Sequence, residues 1–261
     1  MTSISSPTPS LAATPTPTAP APAPAPAPAT WRGAPLEAVL FDLDGTLLDT
    51  AADIALALNR AIGEFGWQPL AAAATKTLIG RGAPVLVQRA AELQGRGLDP
   101  ATHAAIVERF FHHYGALQQT DESAAKPFPG AVEGLLAVHA AGLRTAIVTN
   151  KQQRFAISLA RRLGLSAGVD VYVGGDSCVR RKPDPMPLLF ACESLGVAPG
   201  RALMVGDSIN DVQAARGAGV PVICVPYGYN EGMDPRSLPC DLLIDSLAEL
   251  PALLLAPAVA R

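Results

Sequence analysis

The sequence predicts a mixed α/β protein, a Rossmann-like, doubly wound parallel sheet with an α-helical cap domain inserted after its first strand. Three observations carry this. Short runs rich in Val and Ile alternate with longer amphipathic segments through most of the chain. The short runs are continuously apolar, as expected of strands covered on both faces. One block near the N-terminal third has helical periodicity throughout and no strand pattern. Sheets of this kind bind ligands beyond the C-terminal ends of their strands, so polar residues at those ends are where function should lie.

The chain has 261 residues, 49% apolar and 16% charged, with a formal charge of −3. That length allows one buried core and a smaller second domain. There is no basic stripe, which argues against nucleic acid as a partner. No apolar run reaches the ~18–20 residues of a membrane span. Residues 1–33 are dominated by Pro, Ala and Thr ("TPTPTAPAPAPAPAPAT") and are expected to form a disordered, polyproline-II-like tail. They lack the basic start and apolar segment of a secretory leader. The four cysteines form no CxxC pair; reduced thiols in a cytoplasmic protein are expected.

"AVLF" (38–41) reads as the first strand of the core, which is expected to span residues 34–51 and 127–261. Residues 52–126 form the cap: "ADIALALNRAIGEFG", "APVLVQRAAELQG" and "THAAIVERFFHHYGALQ" repeat apolar residues at spacings of three and four. "PFPG" (127–130) is the return hinge. Then helices at 130–142, 152–164, 185–196 and 210–219 alternate with strands at 144–150, 169–175, 202–207 and 221–226. Several helices stop at a glycine, as helix C-termini commonly do.

The strong polar signals sit at the predicted strand ends. Asp42 and Asp44 follow the first strand, Thr149 and Asn150 the second, and Asp207 and Asp211 the "ALMVG" run, while Lys182 precedes a helix. Two carboxylates ~4 Å apart repel by about 4 kcal/mol at an effective dielectric near 20. Such a cluster calls for a cation, and an all-oxygen site suits Mg²⁺, often with a substrate phosphate beside it. Lys182, Thr149 and Asn150 can then serve the remaining phosphate oxygens. The pattern argues against a calcium-binding EF-hand loop, because Gly45 follows Asp44 at once and residue 51 is Ala. A turn and a helix cap would explain Asp44 or Asp49 singly, not the switch from apolar to acidic at Asp42. Asp49 could cap a helix or stand at the site rim. The adjacent His112 and His113 face different sides of a helix and do not chelate one ion well.

"DLDGTLLDT", "VTN", "KPDP" and "GDSINDVQAARGAG" together resemble, in order and spacing, the four motifs of the haloacid dehalogenase superfamily. The resemblance covers residues 36 to about 250. It implies a phosphatase with a phosphoaspartyl intermediate. Asp42 would be the nucleophile and Asp44 the acid/base. Thr149 and Lys182 would hold the phosphoryl group and its charge. Mg²⁺ would sit on Asp42, the backbone carbonyl of Asp44 and Asp207, with Asp211 in support. The insert, with "GRGAPVLVQRA", "GGDS" and "PYGYNEG", resembles the branch containing the phosphoglycolate phosphatases and β-phosphoglucomutase. This implies a small phosphorylated acid or sugar as substrate, 2-phosphoglycolate foremost, with another sugar or nucleotide phosphatase, a mutase, or a non-catalytic relative as alternatives. The expected assembly is a monomer or small homo-oligomer. Because 2-phosphoglycolate carries a carboxylate, a cap cation or cap backbone donors are expected to read it, and Arg81, between Gly80 and Gly82, is the candidate.

Overall fold

The computed structural model describes residues 29–255. The part of the Pro/Ala tail at 1–28 lies outside the described residues. Its expected last few residues differ from the expectation: β1 (Thr30–Trp31) and β2 (Ala34–Pro35) form a short antiparallel hairpin. Trp31 is buried in the core of the sheet domain. A single large aromatic supplies enough apolar surface to hold this segment down.

The main sheet has six parallel strands. β3 (Ala38–Phe41) lies at its centre, between β6 (Arg144–Val148) and β8 (Ala202–Gly206). β7 (Val171–Val173) continues one side, and β9 (Val222–Cys224) then β10 (Leu242–Leu243) the other. All pairings are parallel. The strands are apolar on both faces because both are covered. Val39, Phe41, Ile147 and Val205 pack against α5 (Ala131–Ala140), α6 (Gln153–Arg162) and α9 (Leu250–Leu255). Leu40, Val148 and Met204 pack against α7 (Met186–Leu195) and α8 (Ile209–Ala218).

Between β3 and β6 the chain leaves the sheet through β4 (Leu48–Asp49) and returns through β5 (Lys126–Pro127). These pair with each other as a two-stranded ribbon. Between them lie α1 (Ala51–Gly63), α2 (Ala72–Leu78), α3 (Ala83–Leu93) and α4 (Pro100–Leu117). Their apolar faces build a separate core around Leu58, Ile62, Val87, Ile106 and Tyr114. Phe155 from α6 and Tyr229 from the loop after β9 also enter this cluster, so the helical unit rests on the C-terminal edge of the sheet. Among the described residues no helix is long and apolar enough to cross a membrane, and the four cysteines are free.

Candidate active site

The Asp42 N–H donates to Val205 O at 2.9 Å, which extends the β3–β8 pairing and sets the carboxylate at the sheet edge. The chain then turns sharply at Gly45, with φ +94°. Lys182, 3% exposed, reaches the same edge from the loop before α7. Its Nζ donates to Asp211 Oδ1 at 2.7 Å and to Val148 O at 2.6 Å. The same ammonium lies 2.9 Å from Asp42 Oδ1. That contact is off the hydrogen-bond direction, so the buried oxygen is ion-paired but has no hydrogen bond.

Asp207 follows β8. Its Oδ1 accepts from Thr46 Oγ1 at 2.9 Å and its Oδ2 from the Tyr229 N–H at 2.8 Å. A Cβ on Gly45 would lie 2.4 Å from Asp207 Oδ2, and one on Gly228 2.2 Å from it. Backbone therefore passes close on two sides of this carboxylate, and only glycine fits there. Asp211 completes a capping box at the start of α8: its Oδ2 accepts from Ser208 N at 3.1 Å and Ser208 Oγ at 2.8 Å.

Burial drives the electrostatics. Asp42 is pushed up to about 7, first by desolvation and then by the charges of Asp211 and Asp44, against the pull of Lys182. Asp207 is pushed up to about 8 by desolvation and by the charges of Asp211 and Asp42. For Lys182 burial opposes the charge, but Asp211 and Asp42 outweigh it and hold the ammonium above the usual lysine range.

Oxygens of Asp42, Asp207 and Asp211 lie within 4.8 Å of one another. The two oxygens of Asp211 are already taken, by Lys182 and by the α8 cap, so this residue orients its neighbours. Asp42 and Asp207 are hard oxygen donors side by side, one of them with an unsatisfied buried oxygen. That donor set fits a divalent cation of the Mg²⁺ type.

Asp44 points into a cavity of about 60 Å³ between the sheet edge and the helical unit. Lys151, overlooked in the sequence, grips it: Nζ donates to Asp44 Oδ1 at 2.8 Å and to Oδ2 at 2.9 Å, and Thr50 Oγ1 donates to Oδ1 at 2.6 Å. The same ammonium sits 4.5 Å above the Tyr114 ring. Burial opposes the Lys151 charge, but Asp44 outweighs it and raises the lysine above its usual range. Lys151 follows "VTN" directly, so its position at a strand end was a usable signal.

Thr149 and Asn150 also line the cavity. Thr149 Oγ1 accepts from the Lys151 N–H at 3.2 Å, which leaves its hydroxyl proton available. The Asn150 amide nitrogen is committed: Nδ2 donates to Gly80 O at 2.9 Å and to Lys182 O at 2.8 Å. It thus ties the cap loop to the Lys182 loop. Arg81 is not brought to the cavity wall. Its Nε donates to Glu231 Oε1 at 3.0 Å, and Arg89 Nη2 reaches Glu231 Oε2 at 2.6 Å. A second arginine, Arg181, lines the cavity instead. Asp49 stands at the rim, accepting from Tyr229 Oη at 3.0 Å, and Tyr229 Oη itself accepts from the Thr50 N–H at 2.6 Å. His113 pairs with Glu64 on the cap and takes no part.

Carboxylates, ammonium groups and a hydroxyl converge on one covered cavity of a capped α/β fold, beside a carboxylate cluster that could hold a metal ion. The chain belongs to the haloacid dehalogenase-like hydrolase family, whose profile matches residues 39–225. It is 44% identical over 217 residues to a phosphoglycolate phosphatase of Thiobacillus denitrificans, covering 82% of this chain and 94% of that one. It is 45% identical over 216 residues to the phosphoglycolate phosphatase of Nitrosospira multiformis, with the same shares covered. Among solved structures it resembles a predicted phosphoglycolate phosphatase from Haemophilus somnus, with TM-score 0.77 and 30% identity over 83% of this chain and 97% of that one. The chain is accordingly a phosphoric monoester hydrolase.

Proposed function

We propose that this enzyme hydrolyses 2-phosphoglycolate to glycolate and phosphate through a phosphoaspartate on Asp42, with Mg²⁺ as cofactor. The observation that carries the mechanism is the pair of carboxylates at one cavity in opposite settings. Asp42 lies beside Lys182 at the sheet edge, and Asp44 is held by Lys151 and Thr50 on the cap side. Two roles need two such environments. The names of the relatives support the substrate. So does the cavity of about 60 Å³ against which the cap rests.

In the first step an Asp42 carboxylate oxygen attacks phosphorus. The ester P–O bond breaks, and the glycolate oxygen takes a proton from Asp44. In the second step Asp44 takes a proton from water, the water oxygen attacks the phosphoaspartate, and phosphate leaves with Asp42 restored. Lys182 offsets the negative charge that would otherwise repel the phosphate from Asp42. The Thr149 hydroxyl donates to a phosphoryl oxygen. Lys151, donating to both Asp44 oxygens, positions that carboxyl for the proton transfers. Asp42, Asp207 and the backbone carbonyl of Asp44 would hold Mg²⁺, whose charge offsets that of the phosphoryl group. The apolar cap side of the cavity, with Ile54, Leu86 and Phe110, excludes bulk water during transfer.

The test is phosphate release with Mg²⁺ across small phosphoesters, with Asp42→Asn as control. A marked preference for 2-phosphoglycolate and a variant reduced to background are expected. Release by the variant equal to wild type overturns the mechanism. A flat substrate profile overturns the substrate assignment alone.

A further inference from the structure

Two cations line the cavity, Lys151 and Arg181. Lys151 is held by both oxygens of Asp44. Arg181 is not neutralised in this way. Its Nε donates to Gly175 O at 2.6 Å, which fixes the plane of the guanidinium. Among the described residues neither Nη atom has a hydrogen-bond or ion-pair partner. The remaining cations near the cap loop are committed elsewhere, Arg81 and Arg89 to Glu231 and Lys182 to Asp42 and Asp211.

The cap loop is shaped to meet this guanidinium. Gly82 has φ +82°, and a Cβ there would lie 3.0 Å from Asn150 O and 3.6 Å from Arg181 Nη1. Gly175 is tighter from below, since a Cβ would lie 2.3 Å from Asn150 O and 3.2 Å from Arg181 Nε. Gly175 lets the backbone close on the arginine head and on Asn150 O, and Gly82 brings the cap loop to ordinary contact distance of the same head. Gly82 is also the residue from which α3 starts, without a side-chain cap. The positive end of that helix adds to the same field, though the arginine carries the assignment.

We propose that Arg181 forms a carboxylate subsite, and that its free Nη edge binds the carboxylate of the substrate while the phosphate lies against Asp42 and Thr149. A planar fork held at Nε is preorganised for a planar carboxylate. The cavity is small, so the second anionic group sits within a few atoms of the phosphorus, as in a phosphorylated hydroxy acid. Arg181 thus takes the part that the sequence alone assigned to Arg81. This inference rests on the substrate reading above and adds the residue that enforces it.

The test compares kcat/KM for 2-phosphoglycolate with that for ethyl phosphate, which keeps the ester and lacks the carboxylate. Both are measured in the wild type, Arg181→Gln and Arg181→Lys. Loss of a charge-assisted contact is expected to lower the ratio between the two esters on the order of 10- to 100-fold in Arg181→Gln. Arg181→Lys should restore part of it, because the charge returns without the fork. If Arg181→Gln does not fold, Arg181→Lys alone carries the comparison. A ratio within about threefold of wild type in the folded variants, however much both rates fall, overturns the inference and leaves the substrate reading standing. A wild type with no preference between the two esters overturns the substrate reading and this inference with it.

Discussion

The stability of the metal-free enzyme should fall as the pH rises from 6 to 8.5, against the usual behaviour of carboxylates. Asp42 and Asp207 have folded-state values near 7 and 8, against 3.8 in an unfolded chain. A carboxyl raised on folding stabilises the native state while it keeps its proton. That stability is complete below 3.8 and is lost as the pH climbs through 7 and 8. At pH 6 linkage gives on the order of 1 kcal/mol for Asp42 and on the order of 3 kcal/mol for Asp207, and nearly nothing for either at pH 8.5. The two share neighbours, so their sum of about 4 kcal/mol is an upper figure. For a chain of this size it corresponds to a drop in Tm of about 10 °C. The assay is thermal unfolding of EDTA-treated protein across that range, repeated with Mg²⁺. Mg²⁺ at about 100 Kd adds about 2.7 kcal/mol where the site is ionised, so its Tm shift should be larger at pH 8.5 than at pH 6. A metal-free Tm that is flat or rising with pH, together with no shift on adding Mg²⁺, would refute the reasoning.

Three further outcomes are expected. Lys151→Gln removes the ammonium that holds both Asp44 oxygens in place; kcat should fall on the order of 10- to 100-fold, and, with Asp44 no longer held for the water step, stopped-flow kinetics should show a burst of glycolate as the phosphoenzyme accumulates. Glu231→Ala releases Arg81, Arg89 and Asn210 together. It should cost about 1–3 kcal/mol, raise KM, and speed hydrogen exchange across residues 80–89. Gly228→Ala drives a Cβ into Asp207, and the Mg²⁺-dependent rise in Tm should disappear while the cap helices keep their circular dichroism signal.

What was legible in the sequence followed from local contrast. The five longer strands stand out because apolar residues end abruptly in polar ones, and the same contrast marks Asp42, Thr149 and Asp207 at their ends. β10 has only two residues between Asp241 and Ile244, too few for a pattern. α2 reads "AAATKTL" and buries only Thr75, so it has no apolar stripe to detect. The choice between Arg81 and Arg181 was beyond local reading. Arg81 is turned aside by Glu231, 150 positions along the chain. Glu231 is presented by a left-handed run at Asn230, Glu231 and Gly232, which no periodicity announces. Nor does the asparagine of "VTN" show that its amide is spent on Gly80 and Lys182.

Charge balance explains why the acidic excess at the first strand end is tolerated. Asp42, Asp44, Asp207 and Asp211 face Lys151 and Lys182, so four carboxylates against two ammonium groups leave two negative charges. The deficit is not shared evenly. Asp44 is held by both Lys151 and Thr50, and Asp211 by Lys182 and the α8 cap. Asp42 and Asp207 are the two whose affinity for protons rises. They are also the two in position to give an oxygen to a cation. Without a cation, two protons balance the site; with one, a single divalent ion does the same and releases them. Lys151 and Lys182 thereby leave Asp42 and Asp207 as the carboxylates that could hold a cation, since Asp44 and Asp211 are the more fully satisfied. An exchange of Lys182 for a neutral residue should therefore weaken Mg²⁺ discrimination as well as phosphoryl transfer, because Asp211 would then compete with Asp42 and Asp207 for whatever charge enters.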